Sequence, residues 1–129
     1  MKSSTFTDFS LMHHIQELLH KQLQIPAHRI GFEDLVLAFQ ICMTQDIRYY
    51  TTELYPVIAR QLNRTDGDAV AQAIHEVIKA GYEQGDREVW NFYFPNTKGV
   101  PSNKVFISNL LVFLNAKKRP SRNRKGQSR

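Results

Sequence analysis

Thr65, Asp68, Gln72, His75 and Lys79 recur at intervals of three or four residues, the spacing that lines one face of a helix. Wound at about 100° per residue, this polar row falls opposite an apolar row of Val70, Ala73, Ile74, Val77 and Gly81. One kind of chemistry suits the polar row. A Gln amide pairs with an adenine edge, a carboxylate accepts from the cytosine amino group, and His or Lys reaches a base edge or a phosphate. The five residues are therefore candidate base-facing side chains of a helix that enters the major groove of double-stranded DNA. The charge is a poor match, because Asp66, Asp68 and Glu76 repel phosphate unless they cap the helix or accept from a base.

Other chemistries find less support. His13, His14 and His20 share one stretch, His28 lies in a link and His75 lies on another helix. None forms the i, i+4 pair that clamps zinc. The lone Cys42 sits in the apolar run "LAFQICM", and no feature places a histidine beside it as a base. A buried, inert thiol fits, as does a reducing cytosol. There is no Gly-rich phosphate loop and no paired-carboxylate signature. The reading is no enzyme, no catalytic residue, no metal and no cofactor. No apolar run is long enough to span a membrane, and "MKSSTFTDFS" lacks the apolar core of a signal peptide, so a cytoplasmic location is expected.

The net charge of +5 is unevenly placed. Residues 117–129 hold seven Lys or Arg and no acid, leaving ten basic and twelve acidic side chains in residues 1–116. The chain thus divides into a slightly acidic domain, 1–116, and a basic tail, 117–129. The tail has no apolar residue to bury and is expected to be disordered. Arg64, Lys117, Lys118, Arg119, Arg122, Arg124 and Lys125 are the candidate phosphate-binding residues.

The elements that must carry the polar row are helices. Leu11, Ile15, Leu18, Leu19 and Leu23 predict a first helix over about 9–24, capped by Asp8 or Ser10 and ended by Pro26. A second, over about 32–47, places Glu33 and Asp34 at its positive end and turns Leu35, Val36, Phe39 and Met43 inward. A third begins near Tyr55 with Pro56 in its first turn, buries Ile58, Ala59 and Leu62, and stops where Asn63 goes left-handed. Thr65 is expected to cap the next, with Asp68 three residues on, and Gly85 to end it. "DREVWNFYF" reads as a short aromatic piece, helical or irregular, and "PNTKGVPSN" as a loop. Ser102 caps a last helix over about 103–115 that turns Phe106, Leu110, Phe113 and Leu114 inward. The whole is an all-α fold of about six helices around a helix-turn-helix.

At "IPAHRIG" (25–31), "LYPVIARQLN" (54–63), "AQAIHEVIKAGYEQG" (71–85) and "KGVPSNKVFISNLL" (98–111), the chain resembles the C-terminal effector domain of stage-zero sporulation protein A. The resemblance covers about residues 12–115. It implies six helices around a helix-turn-helix, binding to DNA boxes upstream of promoters, contact with RNA polymerase and pairing of two copies on tandem sites. It thus implies a DNA-binding transcription regulator. His28 matches the family's link, where its role reads as structural.

Two departures qualify this. No receiver domain precedes residue 12, so switching by phosphorylation within the chain is not expected. The family's helix presents arginines and a glutamate where this chain has Ala69, Ala71, Gln72 and His75, and the turn around residues 64–67 is one residue longer. A lost bidentate Arg contact costs about 1–3 kcal/mol of discrimination, so the family's sequence preference is not carried over. The expectation is a regulator of altered or relaxed preference. The alternative is a protein-interaction module that modulates a related regulator or RNA polymerase without reading a DNA sequence.

Overall fold

The computed structural model describes residues 10–118, with the side chains of 10–116. Six helices account for these residues, and no strand occurs among them. α1 runs over 10–22 as an α-helix that widens into π-helical turns at Glu17–Gln22. α2 is Ile30–Thr44. A π-helical turn, Tyr50–Leu54, feeds α3, Tyr55–Gln61. α4 is Gly67–Gln84, α5 is Arg87–Tyr93 and α6 is Asn103–Lys118. The all-α architecture read from the sequence is the one observed.

α1 forms where predicted, and Leu11, Ile15, Leu18, Leu19 and Leu23 are all buried. It stops before Pro26 has any say. The Leu23 and Ile25 amides reach back to the Leu18 and Leu19 carbonyls at 3.1 and 2.9 Å, and Gln24 takes φ 56°. The wide turn lets the chain reverse, so Ile25 and Pro26 go into the core rather than onto the surface.

α2 and α4 cross at unusually close range. A Cβ built on Gly31 would lie 2.1 Å from the Ala73 carbonyl oxygen. A backbone oxygen cannot rotate away, so the helices would have to part. Gly31→Ala is expected to cost at least the roughly 1–3 kcal/mol typical of overpacking, read as a lower urea midpoint. Gly99→Ala is the control for the surface: that Cβ meets nothing, and only its φ of +80° is strained.

Trp90 is the hub at the other end. Its ring meets Tyr82 and Phe94 at 5.5 Å and Phe106 at 5.8 Å, and its Nε1 donates to the Leu23 carbonyl at 3.2 Å. Gly85 makes room for it, since a Cβ there would sit 2.6 Å from that nitrogen. One aromatic expectation needs correction. Phe113 is 37% exposed rather than turned inward, and it packs at 5.9 Å on Phe92, which is 67% exposed. Trp90, Phe94 and Phe106 already fill the core between α5 and α6, which leaves these two rings on the rim.

Candidate nucleic-acid interface

α3 and α4 form the helix-turn-helix, with residues 62–66 between them. Pro56 sits in the first turn of α3, where its missing N–H costs nothing. Ile58, Ala59, Val70 and Ile74 are buried between the two helices and Leu62 packs partly against them. Asn63 goes left-handed at φ 59°, as expected of it, and the Arg64 amide donates to the Ala59 carbonyl at 2.8 Å. The chain then extends into Asp66.

Asp66, not Thr65, caps α4. Its carboxylate accepts from the Ala69 amide at 2.9 Å, and its backbone is extended at φ −165°. The cap thus lies one residue further along than the sequence pattern suggested. Asp68 consequently lies in the first turn of α4 and is free of a capping-box role. Thr65 is exposed beside the cap.

Above the buried row of Val70, Ile74, Val77, Ile78 and Gly81, the structure leaves Asp68, Gln72, His75 and Lys79 exposed, with Glu76 among them. Four of the five sequence-predicted side chains, Asp68, Gln72, His75 and Lys79, therefore share one outward face of α4, and Thr65 stands exposed in the turn before the helix. Among the described residues, none of them makes a hydrogen bond or ion pair that would have to break before a ligand is met. His28 and Arg29, also exposed, stand at one side of α4, across a trough of about 450 Å³ shared with Ala73, Glu76 and Val77.

Arg64 is differently placed. Its Nε lies 3.2 and 3.3 Å from the two Asp34 oxygens, its Nη2 donates to Asp34 Oδ1 at 2.7 Å, and Nη2 also approaches Glu33 at 3.4 Å. These hydrogen bonds to Asp34, more than the surrounding charge, hold the guanidinium above its usual range. Asp34 itself is 0% exposed, while the Arg64 side chain is 23% exposed. From sequence, Asp34 reads only as an acid near a helix start. A signal was available: Asp34, Ala38 and Ile41 share one face of α2, so an acid there needs a buried partner.

A second support comes from α6. Ser102 caps it as expected, accepting from the Val105 amide at 3.2 Å. The Asn103 amide then donates to the Ala71 carbonyl at 3.0 Å and to the Tyr55 hydroxyl at 3.2 Å, bracing both helices of the motif at once. Beneath this brace, burial and the neighbouring Cys42 push the Tyr50 phenol up to about 12, and burial raises the Tyr55 phenol and the Cys42 thiol. The cluster is uncharged at neutral pH, and a thiol held in this form is a poor nucleophile.

Lys117 and Lys118 close α6, two residues beyond the expected domain boundary at 116. Arg119, Arg122, Arg124 and Lys125 lie outside the described residues, as does the rest of the tail. Among the described residues, no three His, Cys, Asp or Glu side chains could hold a metal ion. No described helix is long and apolar enough to cross a membrane.

Comparison with known families agrees with this geometry. The model of the family described as sporulation initiation factor Spo0A C terminal matches residues 15–114, from the first turns of α1 to the buried Leu114 of α6. The match spans the helix-turn-helix, both of its supports and the aromatic hub, and the chain belongs to this family of DNA-binding sporulation effector domains.

Proposed function

We propose that the chain is a transcription regulator that lays α4 in the major groove and reads DNA with an altered or relaxed sequence preference. One observation carries the reading: Asp68, Gln72, His75 and Lys79 lie exposed along one face of α4 over a buried apolar row, with Thr65 exposed in the turn before it. Gln72 pairs with an adenine, Asp68 accepts from a cytosine, and His75 and Lys79 reach bases or phosphates further along. The basic stretch Lys117–Lys125 supplies phosphate contacts and affinity without sequence information. Contact with RNA polymerase, and pairing of two copies on tandem sites, are part of the same proposal.

The test is selection of bound sequences from random duplex DNA at two salt concentrations, with the full chain and with a chain ending at residue 116. Both are expected to enrich the same sequence. If all seven basic tail residues reach phosphates, truncation should remove about 6 from the magnitude of the slope of log K against log salt. Gln72→Ala is expected to relax the preference at one A·T pair by about 1–3 kcal/mol, with binding to unselected DNA unchanged.

A second reading is favoured by the charge of α4, which carries Asp68, Glu76 and Glu83 against Lys79 alone. In it, the ridge binds a related regulator or RNA polymerase and reads no DNA sequence. No enriched sequence from either chain, together with a stable complex in light scattering, would establish that reading and end the first.

A further inference from the structure

We propose that the Arg64–Asp34 pair is a positioning device: it fixes the turn of the helix-turn-helix to α2, sets the angle of α4, and so helps determine which base sequence is read. This rests on the groove-reading function above and assigns Arg64 to orientation rather than to phosphate.

Four observations converge. Arg64 occupies the turn, two residues before the Asp66 cap that starts α4. Its guanidinium engages both Asp34 oxygens, with contacts at 2.7, 3.2 and 3.3 Å, and a planar fork on a carboxylate restricts orientation as well as distance. Asp34 is 0% exposed while the pair is formed, so Arg64 rather than water satisfies its carboxylate. The same end of α2 touches α4 directly, where Gly31 meets the Ala73 carbonyl. The turn is thus tied by its side chain to α2 and by its backbone to α3, through Arg64 N and the Ala59 carbonyl at 2.8 Å.

The consequence follows from leverage. Gly31 against Ala73 acts as a fixed bearing near the middle of the α4 ridge, and the turn lies at the end of α4 that precedes Asp68 and Gln72. Freeing the turn lets that end swing. Recognition geometry tolerates only about 0.5 Å and 10–20°, so a small swing changes which base edges the two side chains meet. A swing of Arg64 out to a phosphate is the opposite mode of action, and it would strand a carboxylate in the core.

Three variants separate the two. Arg64→Ala removes the tether. Asp34→Leu with Arg64→Ala removes the tether and the buried charge together, so this variant folds even where the single one fails. Arg64→Lys keeps the charge and loses the fork. The measurements are the sequence selected from random duplex, the salt slope, and amide hydrogen exchange over residues 64–72 without DNA. The expected result is faster exchange in that segment in both tetherless variants, with the Trp90 region little changed in the double variant, where global stability is mostly restored. Discrimination should fall about tenfold, equivalent to about 1.4 kcal/mol, in both tetherless variants, with Arg64→Lys intermediate and the salt slope held. A slope shallower by about 0.9 in Arg64→Ala with the preferred sequence retained would make Arg64 a phosphate contact and overturn the proposal. Unchanged exchange in the double variant would overturn the tether alone. Failure of the unaltered chain to enrich any sequence would take groove reading down, and the specificity role with it.

Discussion

Replacing Trp90 with alanine is expected to destabilise the fold by about 3–5 kcal/mol, the usual cost of truncating a buried large aromatic. The expectation comes from position. The indole is 1% exposed and touches residues of α4, α5 and α6, while its nitrogen satisfies the Leu23 carbonyl at the end of α1. Alanine leaves a cavity among rings that cannot collapse into it. It also leaves a carbonyl without its donor, which adds about 1–3 kcal/mol if water cannot enter. Domain stability is about 5–15 kcal/mol in total, so a weakly stable parent would unfold outright. Trp90→Phe should recover most of the packing and none of the hydrogen bond. Urea unfolding followed by circular dichroism measures both. A loss below about 1 kcal/mol in the alanine variant would mean the hub is not where the cohesion lies.

Arg64→Ala is expected to cost about as much, roughly 3–5 kcal/mol, for a different reason. The loss is not the attraction of an ion pair, which water largely offsets in exposed pairs. It is the stranding of a fully buried carboxylate, since Asp34 is 0% exposed and, among the described residues, only Arg64 donates hydrogen bonds to it. The signature is non-additivity. Adding Asp34→Leu to Arg64→Ala should restore most of the lost stability, because the charge that needed a partner has gone. Chemical denaturation of both variants measures this, and two simply additive losses would contradict it.

Local regularities carried most of the fold. The apolar spacing in α1 and α4 predicted their buried faces, because a helix repeats its environment every three to four residues. The ridge was legible for the same reason: whatever lies opposite a buried row is outside. Asn63 and Ser102 were legible because their roles depend only on neighbours. Thr65 failed as a cap because Asp66, a comparably good acceptor, stood next to it, and a one-residue ambiguity in the turn cannot be settled by pattern. Arg64 was out of reach altogether. Its partner lies 30 residues earlier, and nothing local tells a surface cation from one that closes a core. Phe113 failed in the same way, since which aromatic fills the centre is decided by competition among rings from separate helices.

Asn103 has a consequence for how far the molecule reaches. It pins the start of α6 to Ala71, beneath the ridge, and α6 then runs without a break to Lys118. At about 1.5 Å per residue, Lys118 stands some 22 Å along the helix from that pin, or about six base-pair steps at 3.4 Å. On the proposed groove-reading function, a duplex longer by that distance is expected to bind more tightly and with a steeper salt dependence than one just long enough to seat α4, and footprints on short oligonucleotides would understate the size of the site.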